Sequence, residues 1–131
     1  MLEPDKLHPD KLLHRETTER IIGAAFEVYG ELGYGFLERV YERARQVELL
    51  HRGSSAEIEK RTQVKYKKVV VGDYDADLVV DGVVLVELKV NPQYDRRDEA
   101  QLLNVLKATG VRVGLLVNFG RTKVDYKRLI F

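Results

Sequence analysis

The segment from Asp77 to Lys89 constrains the fold most, because it combines a β-hairpin with three charged side chains. It reads D-L-V-V-D-G-V-V-L-V-E-L-K, in which two apolar runs flank an Asp-Gly pair typical of a tight turn. A charged group among apolar strand residues is costly to bury without a partner. Asp77, Glu87 and Lys89 are therefore expected to act together, either as a structural salt bridge in a buried strand pair or as a chemical site.

The chemistry of these three side chains suits metal-assisted hydrolysis of a phosphodiester. Asp77 and Glu87 can share a divalent cation, since hard ions such as Mg²⁺ prefer carboxylate oxygens. Lys89 can stabilise an anion or position an attacking water beside the ion. Crowding of carboxylates in a partly buried pocket is also expected to raise the pKa of at least one of them.

The length of the hairpin loop decides whether the two carboxylates share a face of the sheet. A two-residue turn at Asp81-Gly82 would place Asp77 and Glu87 on opposite faces. A three-residue loop, Val80-Asp81-Gly82, would pair Asp77 with Leu85 and make Glu87 its diagonal neighbour, about 7–8 Å away between Cα atoms. We predict the three-residue loop, although a bulge elsewhere in either strand would have the same effect.

Composition limits the class of protein. A chain of 131 residues, 44% hydrophobic and 33% charged, is expected to form a soluble globular domain. No run approaches the roughly 20 apolar residues that span a bilayer, and no signal peptide is recognisable, so no membrane partner is expected. The lack of cysteine excludes disulfides and fits a reducing cytoplasm. A net charge of +1 is not that of a strong nonspecific nucleic-acid binder, so nucleic-acid contacts need a local patch.

Two helices are predicted in the first half of the chain. After a polar arm over residues 1–15, Thr17 or Thr18 is expected to cap a helix that ends near Leu32, before Gly33-Tyr34-Gly35. A second helix is predicted over residues 37–50, with an apolar stripe of Leu37, Val40, Ala44 and Val47.

Strands dominate the second half of the chain. Residues 63–71 and 74–80 are predicted as strands joined by a turn at Gly72-Asp73, before the returning strand of the hairpin. Asp95 is expected to cap a third helix, with Gly110 just past its end. Two strands then follow, at 111–119 and, as an edge strand, at 124–131. The order α-α-β-β-β-α-β-β predicts one α/β sandwich around a mixed sheet, over residues 16–131.

Several motifs follow one another in the order of a known family. They are Gly35-Phe36-Leu37-Glu38-Arg39-Val40-Tyr41, Asp77-Leu78-Val79-Val80, Glu87-Leu88-Lys89, Ala100-Gln101-Leu102-Leu103-Asn104 and Gly114-Leu115-Leu116-Val117-Asn118-Phe119-Gly120. On these motifs, from about residue 21 to 130, the chain resembles the GxxExxY family of the PD-(D/E)XK nuclease superfamily. The resemblance implies a restriction-endonuclease-like α/β sandwich, with a central mixed sheet flanked by helices. It also implies a Mg²⁺-dependent nuclease, with Mn²⁺ as a substitute ion and nucleic acid as the partner.

The resemblance also implies roles for residues. Asp77 and Glu87 correspond to metal ligands, with the backbone carbonyl of Leu88 completing the set, and Lys89 corresponds to the catalytic lysine. Glu38 corresponds to a helical glutamate that serves as an added metal ligand or orients water.

Other helical residues receive weaker assignments. Gln101 matches a helical glutamine near the site of related nucleases, but an ordinary surface amide is an equal alternative. The family often has histidine at the position of Asp98 and tyrosine at that of Val105, so a Gln–Tyr pair is incomplete here. Tyr41 is expected to pack beside the apolar stripe, with its hydroxyl near Glu38 or a phosphate.

Two other interpretations of the chain stay open. One is a catalytically inactive module that keeps the nuclease fold and binds nucleic acid or protein, and the other is a structural dimer whose buried charges pair. No added domain for target selection is recognisable, so specificity is expected to come from loops, from the N-terminal arm, or from a protein partner or a second subunit in a homodimer. A basic run is predicted as a solvated strand face and only secondarily as a phosphate track: Lys60, Arg61, Lys65, Lys67 and Lys68.

Overall fold

The computed structural model describes residues 13–131, and residues 1–12 of the predicted polar arm lie outside this range. Three helices and five strands occur within it, in the predicted order. The helices are α1 (Arg15–Leu32), α2 (Glu38–His51) and α3 (Arg97–Thr109). The strands are β1 (Ala56–Tyr66), β2 (Val69–Val80), β3 (Val84–Lys89), β4 (Val113–Phe119) and β5 (Val124–Ile130). The division of the chain at residue 15 stays a prediction.

The five strands form one mixed sheet in the order β1-β2-β3-β4-β5. β3 and β4 are parallel, and the other neighbouring pairs are antiparallel. The parallel pair needs a crossover, which α3 provides. The predicted mixed sheet and the edge position of the last strand are confirmed.

Helices cover both faces of the sheet. On one face, α1 and α2 share a core with Leu78 of β2 and Val86 of β3. On the other, Leu102 and Leu106 of α3 pack with Leu85 of β3. Every residue of β4 is buried, because both faces of this inner strand are covered. This two-sided cover confirms the α/β sandwich.

The first helix begins two residues before the predicted cap. Thr18 lies inside the first turn, where its hydroxyl donates to the carbonyl of Arg15 at 2.9 Å. The hydroxyl of Thr17 donates to the Asp81 carboxylate at 3.3 Å. The prediction that either threonine caps α1 was wrong, because both hydroxyls have other partners. Within residues 13–131, no helix is long and apolar enough to cross a membrane.

The buried side of α2 also differs from the prediction. Leu37, Val40 and Val47 are exposed, and of the predicted stripe Ala44 packs against the core. The side chains buried on this helix are instead Tyr41, Glu42, Arg45 and Leu49. The prediction selected the side by hydrophobicity alone, whereas the side that faces the sheet carries two charged residues.

The turn between β1 and β2 lies at Lys67-Lys68, with φ of 49° and 68°, and not at Gly72-Asp73. Gly72 pairs with Val64 inside the ladder, next to a shift of register. The prediction failed because the sequence signal for a turn is glycine or asparagine, whereas lysine seldom adopts positive φ. β1 therefore begins at Ala56, well before the predicted start of the strand.

Candidate active site

The β2–β3 hairpin brings the two predicted carboxylates together. Val80 pairs with Val84, so the loop has three residues, Asp81-Gly82-Val83. The predicted loop length is confirmed, but the loop lies one residue later than predicted. Leu85 pairs with Val79 and not with Asp77 as predicted, and the pairing of β2 with β3 ends at Leu78 and Val86. The Asp77 carboxyl nevertheless lies close enough to that of Glu87 for a hydrogen bond and charge repulsion between them.

Asp77 lies where β2 departs from regular alternation. Ala76 and Val79 both pack toward α3, although residues three apart in a regular strand face opposite sides. In β1, Glu59 has a φ of 53° and is skipped in the pairing with β2. The Asp77 carboxylate accepts a hydrogen bond from the backbone N–H of Leu88 at 2.8 Å. At this irregular point, the acceptor for the Leu88 N–H is the side chain of Asp77, whereas in a regular ladder it would be a backbone carbonyl.

Glu87 is the most buried carboxylate of the predicted site, with only 8% of its surface exposed. Burial, together with the charge and hydrogen bond of Asp77, raises the pKa of Glu87 to about 7. The hydroxyl of Tyr74 and the charge of Lys89 act in the opposite direction. The prediction that crowding raises the pKa of at least one carboxyl is confirmed.

Lys89 ends β3 two residues after Glu87, so both residues belong to the same side of the strand. In the parallel pair, Lys89 lies opposite Asn118 of β4. The Asn118 side chain accepts from the N–H of Asn91 at 2.9 Å and donates to its carbonyl at 3.0 Å. This pair of bonds holds the chain just after Lys89.

Two buried charges on α2 were not predicted from the sequence. Glu42 is 6% exposed, and its Oε1 has no hydrogen-bond partner. Burial and the nearby charge of Asp77 raise the pKa of Glu42 to about 7. One signal was available: Glu42 directly follows Tyr41 of the G-x-x-E-x-x-Y motif, on a helix that must pack against the sheet.

Arg45, one turn after Glu42, is fully buried. Its guanidinium lies 5.7 Å from the ring centroid of Phe119, and none of its nitrogens has a hydrogen-bond partner. Burial lowers the pKa of Arg45 to about 10, against the attraction of Asp77 and Glu42. The cation therefore stays close to the carboxylates and balances part of their charge.

The helical residues predicted for the site lie at the surface. Glu38 is exposed in the first turn of α2, whereas the α2 carboxylate whose pKa responds to Asp77 is that of Glu42. Gln101 is exposed on α3, beside the buried Leu102. Tyr41 packs in the core as predicted, with its ring stacked on Phe119.

The hydroxyl of Tyr41 has a different role from the predicted one. It donates to the carbonyl of Gly33 and accepts from the N–H of Phe36. These bonds fasten the turn that precedes α2, and no bond to Glu38 is formed by this hydroxyl.

The donor set fits a hard divalent cation. Asp77 and Glu87 provide carboxylate oxygens, and Leu88, whose carbonyl is the third predicted ligand, stands between Glu87 and Lys89 in the sequence. The unpartnered Oε1 of Glu42 is a further oxygen donor near Asp77. Two carboxylates completed by water and phosphate are a typical set for Mg²⁺. Among the described residues, no group of three or more His, Cys, Asp or Glu side chains has metal-holding spacing.

Comparison with known proteins identifies the superfamily of this chain. The sequence model of the PD-(D/E)XK nuclease superfamily matches residues 15–129. The chain belongs to the PD-(D/E)XK nuclease superfamily, whose nucleases generally use divalent metals.

Structural comparison supports the fold. The crystal structure of SSO0001 is similar, with a TM-score of 0.51 and 15% sequence identity. The match covers 93% of this chain and 61% of that one, so this chain spans 61% of the length of its structural relative. At this identity the likeness shows the fold alone. A search of the curated proteins found no match.

Proposed function

We propose that this chain is a divalent-metal-dependent nuclease that hydrolyses phosphodiester bonds of nucleic acid, within the GxxExxY family. The observation that carries the proposal is the closeness of the Asp77 carboxyl to that of the buried Glu87, with Lys89 two residues after Glu87 on the same strand. Two carboxylates beside a lysine, at the irregular part of β2, are suited to metal-assisted hydrolysis of a phosphate ester. Membership of the superfamily supports the same chemistry.

The proposed cofactor is Mg²⁺, with Mn²⁺ as a substitute. Asp77, Glu87 and the carbonyl of Leu88 would hold it, and their oxygens match its preference for hard ligands. When bound, the ion supplies Lewis acidity that favours formation of hydroxide and neutralises phosphate charge.

The protein's own side chains orient and stabilise the reacting groups. Lys89 is proposed to stabilise the charge that develops on the phosphate. Tyr74 orients the carboxylate of Glu87 through its hydroxyl. Glu38 and Gln101 are proposed to meet the substrate from α2 and α3, where both are exposed.

The setting of the reaction is proposed from the sequence. Lack of cysteine fits the cytoplasm. A homodimer or a protein partner is proposed to supply targeting. Val105, where the related nucleases carry tyrosine, favours a second candidate function, that of an inactive nuclease-fold module which binds nucleic acid or protein.

A panel of labelled DNA and RNA substrates, incubated with Mg²⁺, Mn²⁺ or a chelator, tests the proposal. Wild type is expected to cleave at least one substrate only when metal is present. Asp77→Asn should lose this cleavage, whereas Asp73→Asn, the same change at an exposed position of β2, should keep it. Absence of metal-dependent cleavage from every substrate would leave the binding module as the function.

A further inference from the structure

The end of the β1–β2 hairpin forms a projecting two-stranded ribbon. β2 pairs with β3 only at residues 78–80, but with β1 along its whole length to the turn. No residue from 59 to 75 is buried. We call residues 64–72 the hairpin tip. Tyr66, Val69 and Val71 of the tip are each 62% exposed.

The hairpin tip carries concentrated positive charge. It contains Lys65, Lys67 and Lys68 and no acidic residue, in a chain whose net charge is only +1. Nearer the sheet, the ribbon's cations are neutralised, since Lys60 pairs with Glu57 and Arg61 pairs with Asp75.

The three tip lysines differ from these paired cations. Within residues 13–131, none of the three tip lysines forms an ion pair, and Lys67 lies 5.4 Å from the ring centroid of Tyr66. The charge of the tip is therefore available to an external anion.

The turn presents two of these lysines at the extremity. Lys67 and Lys68 both adopt positive φ, which favours glycine or asparagine over lysine. The conformational free energy of this turn is therefore less favourable than that of a glycine turn, but the turn carries two cationic side chains. A polyanion at the end of the ribbon can contact both lysines.

Resting on the proposed function, we propose that the hairpin tip enters the major groove of duplex DNA and binds its phosphates. The major groove of B-form DNA, about 12 Å wide, admits a two-stranded β-ribbon, whereas the A-form groove of RNA is too narrow. Lysines around the tip can reach phosphates at the groove edges. The exposed valines offer apolar contact to base edges such as the thymine methyl group.

The same strand connects the tip to the site. From Val69 to Asp77, at about 3.4 Å per residue, β2 spans at most about 27 Å. A duplex rises about 3.4 Å per base pair, so this distance corresponds to about 8 base pairs. A duplex of about 8 base pairs or more is therefore long enough to contact the tip and the carboxylates together.

Binding to a fluorescent 20-base-pair duplex in chelator, measured by anisotropy across a salt series, tests the inference without cleavage. Changing Lys65, Lys67 and Lys68 to glutamine is expected to reduce the slope of log K against log salt by about 2.7, since each phosphate contact contributes about 0.9. The control changes three exposed lysines elsewhere, Lys107, Lys127 and Lys123, the last of which pairs with Asp125, and should leave the slope within about 0.5 of wild type. An unchanged melting temperature shows that the tip variant is folded.

Three results would overturn the inference. They are an unchanged salt slope in the tip variant, an equal loss of affinity for single-stranded DNA and duplex RNA, or a change of oligomeric state that accounts for the lost binding. Cleavage is measured separately with metal. If wild type shows no cleavage but the tip variant loses binding, DNA binding by the tip is supported and the nuclease proposal is rejected. If wild type cleaves but the tip variant has an unchanged salt slope, the nuclease proposal is supported and DNA binding by the tip is rejected.

Discussion

Glu87 links burial to protonation at the scale of one residue. Its pKa is about 7 in the folded chain, against a reference value of 4.5. Between these values, the folded protein holds a proton that the unfolded chain has released. Stability is therefore lost as pH rises from about 4.5 to 7 in metal-free protein. Glu42, whose pKa is also raised to about 7, acts in the same direction.

Glu87→Gln is expected to flatten this pH dependence. In chelator, the unfolding free energy of wild type should fall between pH 4.5 and 7.5, and Glu87 should account for at most about 3 kcal/mol of that fall. This part of the fall should be absent from the variant. Urea unfolding at several pH values measures the difference. Glu57→Gln, at an exposed position of β1, serves as the control and should follow wild type. Parallel pH curves for Glu87→Gln and wild type would show that Glu87 does not hold its proton.

Arg45 gives a second prediction at this scale. Its charge is disfavoured by burial more than Asp77 and Glu42 favour it. A neutral side chain of similar length should therefore stabilise the metal-free fold, and Arg45→Met is expected to raise the unfolding free energy by about 1–3 kcal/mol at pH 7. Urea unfolding in chelator measures this change, with the exposed Arg43→Met as control. A loss of stability instead would mean that Arg45 anchors the two carboxylates.

The sequence revealed some of these residues and concealed others. Asp77, Glu87 and Lys89 stand out because they interrupt apolar strands. Glu42 and Arg45 do not, since charged residues on a helix normally face water, and only the packing of α2 against the sheet turns them inward.

At the scale of elements, the hairpin loop depends on Asp81. Its carboxylate accepts from the N–H of Ser55 at 2.8 Å and from Arg20 at 3.1 Å. Although burial opposes this, these bonds lower the pKa of Asp81. Asp81 also has a φ of 52°, which aspartate and asparagine tolerate better than alanine.

Asp81→Ala is expected to lower the unfolding free energy by about 1–3 kcal/mol, because it strains the loop and removes the acceptor of the Ser55 and Arg20 hydrogen bonds. Asp81→Asn should cost about half as much, since it tolerates the backbone and still accepts a bond. Asp73→Ala, at an exposed position of β2, is the control and should change stability by less than about 0.5 kcal/mol. Urea unfolding ranks the three variants. Equal changes in unfolding free energy for Asp81→Ala and the control would show that Asp81 does not stabilise the loop.

The two hairpins show how far local sequence predicts elements. Asp81-Gly82 is a turn signal, and a turn occurs there, but its exact span depends on pairing with a distant loop through Ser55. Lys67-Lys68 carries no such signal, so the β1–β2 turn could not be located from local preference. Turn position is fixed by the register of the whole ladder, which local propensity does not contain.

At the scale of the molecule, element order was enough to predict a mixed sheet between helices. β3, α3 and β4 form a strand–helix–strand unit, whose two strands must be parallel and whose helix must cover one face. α1 and α2 are left to cover the other face. Which side chains of a helix face the carboxylates depends on the rotation of that helix about its own axis. The order of the elements does not specify this rotation.

The whole fold assembles the carboxylate pair, so metal binding should stabilise the whole molecule. At 100 times its Kd, Mn²⁺ is expected to add about 2.7 kcal/mol, or roughly 8–12 °C in Tm for a chain of this size. Asp77→Asn and Glu87→Gln should lose this shift, and Asp73→Asn should keep it. Lys89→Ala should retain most of the shift yet lose hydrolysis, because its proposed contribution is to the transition state. Thermal unfolding with Mn²⁺ or chelator provides the measurement. Equal Mn²⁺ shifts in wild type and Asp77→Asn would place the ion elsewhere and favour a nuclease-fold binding module.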